Sequence, residues 1–208
     1  MASKLHNSLL VALLLAATSI ASAQSAQPGR RLYPGFTAGW QATSIQYRGG
    51  TGGSFDGAWR GALVLDYEIT RRLSLHTQLG AQYMRGLDMM TGEQPRLLYP
   101  ELWVGFQEYL PVGGGSFYLN ASLTAGSGLT LSGTDVFEQP AYRRFRFGWG
   151  ALMGYLFRNG VYINGGLQSS FTNYQQAGPW GNAYQFAWHG INVGFLFGNQ
   201  QRQLARRR

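Results

Sequence analysis

The sequence has no cysteine and few charged residues. Without cysteine there can be no disulfide framework and no lipoprotein attachment site. Charged residues make up 12% of the chain, whereas soluble domains usually contain about 25%. After residue 23 no apolar run is as long as a transmembrane helix, which needs about 18 residues or more. A chain with too few charges to coat a soluble surface, and with no membrane helix, is a candidate for a membrane β-barrel.

Lysine is nearly absent as well, although the formal net charge is +8. Lys4 is the only lysine, and it precedes an apolar run at residues 9–17 and the triplet Ala21-Ser22-Ala23. This is the order of parts in a secretory signal peptide, so we predict that residues 1–23 are cleaved off. Export argues against nucleic acid as the partner of the remaining basic residues, all of them arginines. We expect them to contact lipid headgroups or sugar phosphates, which guanidinium groups bind well.

Glycine and aromatic residues are abundant, and they follow a strict two-residue alternation. In the segment Arg144–Phe157, large apolar side chains alternate with small or polar ones. That period indicates a β-strand with two chemically different faces. Asn159-Gly160 follows, which is a strong hairpin signal, and the alternation resumes at Val161. These strands are about twice the typical length of about 5–6 residues.

The same pattern predicts eight long strands over residues 24–198, which is an all-β, eight-stranded antiparallel up-and-down transmembrane β-barrel. The strands are Tyr33–Tyr47, Gly57–Ile69, Leu73–Met84, Leu97–Leu110, Ser116–Gly126, Arg144–Phe157, Val161–Thr172 and Tyr184–Phe197. Three short links alternate with four longer ones, as in outer-membrane barrels whose termini both lie in the periplasm. The last strand changes phase, so we expect a β-bulge near His189-Gly190. Residues 199–208 are predicted to be a basic periplasmic tail.

The composition of the two faces indicates which one meets lipid. The polar face consists mostly of Gly, Ser, Thr, Asn and Gln, which fits a crowded polar interior. A soluble lipocalin-like ligand-binding barrel would turn its apolar face inward and would need lysine and glutamate outside. The outer face is instead aromatic near the strand ends, as in interfacial girdles. The sequence favours a lipid-facing apolar surface and leaves the lipocalin-like barrel as an alternative.

Several charges fall on the predicted inner face. An eight-stranded barrel has room for side chains and little more, and buried charges must be paired or solvated. We therefore expect a salt-bridged interior network with a structural role, and a narrow small-solute channel is the alternative. The residues of this network are Arg60, Asp66, Glu68, Glu101, Arg144 and Arg146.

Nothing in the sequence indicates a cofactor or a metal. After the predicted cleavage site the only histidines are His76 and His189, whereas a metal site takes three or four ligands. A lipid-modifying barrel enzyme would need a Ser/His/acid set at the outer rim, and His76 lies in the middle of a strand. We expect no enzymatic activity, with such an enzyme kept as an alternative. Arg143, Arg144 and Arg146, near the rim, could contact lipopolysaccharide phosphates or anchor the interface.

The pattern as a whole resembles a known family. The motif Tyr99-Pro-Glu-Leu-Trp-Val-Gly-Phe-Gln-Glu-Tyr-Leu-Pro111 leads into a turn, and the chain ends its last strand in an alternating apolar segment. Together with the eight long strands, these features resemble small outer-membrane β-barrel proteins of the OmpX/PorT-like kind in Gram-negative bacteria. The resemblance implies an outer-membrane location, and members of that group range from structural proteins to adhesion and secretion factors. The final segment is similar to the signal read by the barrel-assembly machinery, through Ile191, Val193, Phe195 and Phe197. We expect a monomer among outer-membrane lipid and lipopolysaccharide.

Overall fold

A computed structural model describes residues 32–47, 50–85, 96–132, 144–171 and 184–198. They form nine antiparallel β-strands: β1 (Leu32–Tyr47), β2 (Gly50–Glu68), β3 (Leu73–Arg85), β4 (Arg96–Val112), β5 (Gly115–Ser127), β6 (Leu129–Ser132), β7 (Phe145–Phe157), β8 (Val161–Ser170) and β9 (Tyr184–Leu196). β1 pairs with β9, and β3 pairs with β4, so the sheet closes on itself. β6 continues the β5 wall beyond Gly128 and pairs with the start of β4. The structure therefore confirms the predicted closed barrel with eight walls.

Two local predictions were wrong. β2 begins at Gly50 and not at Gly57, because the glycine-rich stretch extends the hairpin with β1 up to the pair Tyr47 and Gly50. The bulge expected near His189-Gly190 is absent, since β9 pairs in continuous register with both β1 and β8. The irregularities lie in the β1–β2 ladder instead, where β2 has one extra residue between Ala58 and Phe55, opposite Gln41 and Thr43, and another between Ser54 and Thr51, opposite Ser44 and Gln46. An extra residue there adjusts the register of the β1–β2 ladder alone.

Inward and outward side chains alternate along the walls. β4 shows this most regularly: Glu101 and Trp103 are buried inside, while Leu102, Val104 and Phe106 are exposed outside. Large apolar side chains are exposed on every wall, including Phe36, Trp59, Leu79, Phe106, Leu123, Met153, Ile163 and Ile191. A lipocalin-like barrel requires the opposite arrangement, so the structure contradicts that alternative. None of the described segments forms a helix long and apolar enough to cross a bilayer.

Short turns close one end of the barrel, as predicted. The hydroxyl of Thr70 accepts hydrogen bonds from the backbone amides of Arg72 and Leu73, at 3.3 and 3.0 Å. Gly113 and Gly160 complete the other two turns with φ angles of 55° and 95°. Glycine is favoured in this left-handed region because it has no Cβ to clash with the following carbonyl. The N-terminus of β1 and the C-terminus of β9 lie at this same end, since β9 pairs antiparallel with β1.

Candidate functional site

The barrel interior contains a buried ion pair between β2 and β4. Arg60 Nε donates to Glu101 Oε1 at 2.6 Å, and Arg60 Nη2 donates to Gln78 Oε1, also at 2.6 Å. The guanidinium carbon lies 4.7 Å from the centre of the Trp103 ring, in cation–π geometry. Arg60 and Glu101 are 3% and 4% exposed. A charge that is buried to this degree needs such a partner, because the free energy of removing an unpaired charge from water is large and unfavourable.

A glycine lies on the intervening strand between the two members of this pair. Ala62, Gly80 and Glu101 are successive partners across β2, β3 and β4. A Cβ at Gly80 would lie only 2.5 Å from the Cβ of Ala62. Gly80 is thus required by the close approach of Ala62, and it places no side chain on β3 beside Glu101, the partner of Arg60.

The network continues from Gln78 to a buried histidine and carboxylate. Gln78 Nε2 lies 2.7 Å from His76 Nε2, and His76 Nδ1 lies 3.2 Å from Asp66 Oδ1. Oε1 of Gln78 accepts from Arg60, so the Gln78 amide nitrogen Nε2 donates to His76 Nε2. His76 therefore carries its proton on Nδ1, and this Nδ1–H donates to Asp66. The Tyr109 hydroxyl donates to the second oxygen of Asp66. Asp66 is therefore held by a histidine and a tyrosine.

The remaining predicted interior charges occupy different places. Glu68 accepts a hydrogen bond from the Tyr33 hydroxyl at 3.2 Å near the short-turn end. Arg146 is buried with its guanidinium 3.8 Å from the centre of the Tyr99 ring. It borders a cavity of about 10 Å³ that Glu101 also lines, about enough for one water molecule. Arg144 is exposed, because it precedes the first residue of β7 at the rim, so its predicted place inside the barrel was wrong.

A cluster of tyrosines fills the interior nearer the short turns, and the sequence analysis missed it. The ring centres of Tyr109 and Tyr118 are 5.7 Å apart, and those of Tyr118 and Tyr162 are 6.3 Å apart. Asn192 Nδ2 donates to Asn164 Oδ1 at 2.8 Å, and Asn164 Nδ2 donates to the Tyr118 hydroxyl at 2.9 Å. The two-residue alternation could have revealed this cluster, because these tyrosines fall on the polar face of their strands, opposite the outward aromatic residues.

Glycines on facing strands accommodate the large interior rings. A Cβ at Gly150 would lie 2.4 Å from the Trp103 ring, and one at Gly194 would lie 2.3 Å from the Tyr162 ring. No real Cβ approaches that closely, so any larger residue would displace the ring. The abundance of glycine on the inner face is thus explained by packing, and the interior formed by the described strands is filled by side chains.

The outward end of β9 belongs to an aromatic band. The Phe36 ring centre lies 6.3 Å from that of Phe195 and 6.2 Å from that of Phe197, and the latter two are 5.1 Å apart. Ile191 and Val193 continue the same face, and both are exposed. Such a band of rings at the end of a barrel matches an interfacial girdle.

His76 and His189 lie on opposite sides of the wall. His76 is buried inside, whereas His189 is exposed on the outer face. Within the described residues no group of three His, Cys, Asp or Glu side chains lies close enough to hold a metal ion. His76 lies in a chain of hydrogen bonds inside the barrel that runs from Asp66 through His76 to Gln78 and then to Arg60.

No protein-family model and no curated protein matches this sequence. Among solved structures, the chain is similar to Neisserial surface protein A, with 12% identity, a TM-score of 0.49 and coverage of 78% of this chain and 96% of that one. It is similar to the attachment invasion locus protein Ail of Yersinia pestis, with 11% identity, a TM-score of 0.44 and coverage of 78% and 98%. It is also similar to the outer membrane protein OprG from Pseudomonas aeruginosa, with 11% identity, a TM-score of 0.45 and coverage of 80% and 94%. The β-barrel fold itself is established by the strand pairing described above.

Proposed function

We propose that this chain is an exported outer-membrane β-barrel with a closed interior and no enzymatic activity. In this proposal its role is structural or interactive and is carried by the four loops at the end opposite the short turns. One observation carries the proposal: large apolar side chains are exposed on all eight walls, around an interior that is polar and filled. Soluble monomers rarely expose apolar patches beyond a few hundred Å². A closed barrel is also one of the two architectures that satisfy their backbone hydrogen bonds within lipid.

Export and assembly are part of the same proposal. The predicted signal peptide at residues 1–23 and the basic tail at residues 199–208 lie outside the described residues. The outward face at the end of β9, with Phe195 and the following Phe197, supports recognition by the barrel-assembly machinery. In this proposal the folded chain is a monomer among outer-membrane lipid and lipopolysaccharide. Replacing both phenylalanines by alanine should lower the folded yield in cells. The same change at Phe157, which is outward on a non-terminal strand, serves as the matched control.

The closed interior favours a plug over a channel. Arg60, Trp103 and Tyr118 fill successive levels of the interior, and each is 3% exposed or less. The narrow-channel alternative would need this network to part, which costs the burial and hydrogen bonds described above. A lipid-modifying enzyme would need its histidine at the rim, whereas His76 is held inside by Asp66 and Gln78.

Three measurements test the proposal. The chain refolded into lipid vesicles should migrate differently in gels before and after heating. The chain expressed in cells should be recovered in the membrane fraction. Vesicles that contain it should not swell in small sugars. A Trp103→Ala/Tyr118→Ala variant, in which two plugging rings are removed, serves as the positive control for swelling. Recovery in the soluble fraction, or swelling of vesicles with the unaltered chain, would overturn the membrane or the closed-barrel part respectively.

A further inference from the structure

We propose that the outer face of β2, β3 and β4 seats one lipopolysaccharide molecule, with a phosphate on Arg85 and Arg96 and an acyl chain in an apolar groove below them. The inference rests on the proposed outer-membrane location and deepens it. It names a specific lipid and a specific place on the wall, which the presence of a barrel in a membrane does not require.

The groove is a depression of about 430 Å³ in the outer surface. Its floor is a row of small or flat residues, Gly61, Ala81 and Pro100, which are successive partners across the three strands. Leu79 and Leu98 are among the apolar residues that line its edges. A Cβ placed at Gly61 would meet no atom within 4 Å, so the floor is open to the outside. A depression of this kind takes up a flexible hydrocarbon chain and has no polar group to offer.

Two arginines lie directly above the groove. Arg85 and Arg96 are cross-strand partners of β3 and β4, and both are exposed. They share the outward phase of Ala81 and Pro100, so the guanidinium groups and the groove open on the same face. Directly opposed residues have Cβ atoms about 4.5–5.5 Å apart, and like charges at this spacing repel. An anion between them removes that repulsion, and phosphate suits it because it accepts paired hydrogen bonds from guanidinium.

The spacing matches a lipid that lies along the strand. From Arg85 to Ala81 the β3 backbone advances roughly 14 Å at about 3.4 Å per residue. Tyr83 lies between them on the outward phase, next to Leu98, at the level expected for an interfacial aromatic residue. The cations thus lie at headgroup level and the groove at acyl-chain level, at the end away from the short turns. That end faces the outer leaflet, whose lipopolysaccharide carries both phosphate and acyl chains.

A second copy of this chain fits the site less well. Two copies in one membrane have the same orientation, so an interface at this face would bring four arginines together at one rim. Such like-charge contact is unfavourable. The charge of the site therefore favours an anionic lipid as the occupant.

Binding of lipopolysaccharide to the full chain in detergent micelles tests the inference, with native mass spectrometry as the readout. Arg85→Gln/Arg96→Gln should weaken binding by about tenfold or more, since charge-assisted pairs are lost. Gly61→Leu should weaken it too, because the new side chain occupies the groove from a position where a Cβ meets no atom within 4 Å. Arg158→Gln, at an exposed turn, and Ala121→Leu, on the outer face of β5, are the matched controls and should leave binding unchanged.

Lipopolysaccharide stripped of its phosphates separates the two parts of the site. The unaltered chain should bind this lipid more weakly than it binds intact lipopolysaccharide. The arginine double variant should bind both lipids with the same affinity. Equal affinity of all variants for intact lipid would overturn the inference, and so would a dimer that Gly61→Leu dissociates. These outcomes leave the proposed function standing provided that the same samples show the heat-dependent gel shift and do not swell vesicles. A chain that fails to enter membranes overturns the proposed function itself.

Discussion

The buried pair of Arg60 and Glu101 gives the sharpest test of how this barrel is built. Arg60→Ala leaves the Glu101 carboxylate in the interior without its cation, and it leaves Gln78 Oε1 without its donor. Removing one member of a buried ion pair costs about 3–5 kcal/mol. A pair in a water-filled lumen would behave like a surface pair and would be worth about 0–1 kcal/mol. The size of the loss therefore reports whether the interior is dry.

The assay is urea unfolding of the refolded barrel in lipid vesicles, followed by tryptophan fluorescence. Arg60→Ala should lower the free energy of unfolding by about 3–5 kcal/mol. The double variant Arg60→Met/Glu101→Leu should recover much of the loss and stay about 1–3 kcal/mol below the unaltered chain, because Gln78 remains without its donor. Arg158→Ala, at the exposed turn, should stay within about 0.5 kcal/mol.

A loss below about 1 kcal/mol for Arg60→Ala would refute the reasoning, since it is the value for a solvated pair. Failure of the double variant to recover would also refute it, because the cost would then come from lost packing and not from a stranded charge. Single-channel recordings of Arg60→Ala add a second readout. In the proposed closed barrel Trp103 and Tyr118 also fill the interior, and both are buried, so we expect no conductance from removal of one side chain.

Three further substitutions test other parts of the structure. Tyr109→Phe removes the hydroxyl donor to Asp66 and should cost about 1–3 kcal/mol in the same titration; a neutral result would mean that water replaces the donor. Gly160→Ala should cost about 1–3 kcal/mol, because φ is 95° at this position. Gly114→Ala is the control and should be near neutral, because a Cβ there has open space. Equal stabilities of the two variants would contradict the turn geometry. Leu79→Arg should cost about 2–4 kcal/mol in vesicles if Leu79 meets the membrane interior, and an unchanged stability would place that face in water.

The strand positions were readable from the sequence because alternation is a local property. β4 and β7 begin and end within two residues of the predicted bounds, since glycine, asparagine and proline mark the turns between them. The inside and outside faces were readable too, because each has its own composition. The misplaced bulge shows the limit of local pattern: the apparent change of phase in β9 corresponds to no bulge there, and the register shifts lie in the β1–β2 ladder.

Side-chain partners inside the barrel were not readable in the same way. Asp66 meets His76 because the β2–β3 register places them opposite each other, and register between strands is a property of the closed sheet. Arg60 reaches Glu101 two strands away, across β3, where Gly80, the partner of Glu101, carries no side chain.

The sequence by itself thus determined the strands, the turns and the identity of the two faces, since those depend on neighbours along the chain. The tertiary structure alone decided which charges meet and where the interior tyrosines stack. It also decided that Gly61, Ala81 and Pro100, about twenty residues apart in sequence, form one groove. These features depend on the stagger of strands around the barrel, which no local pattern encodes.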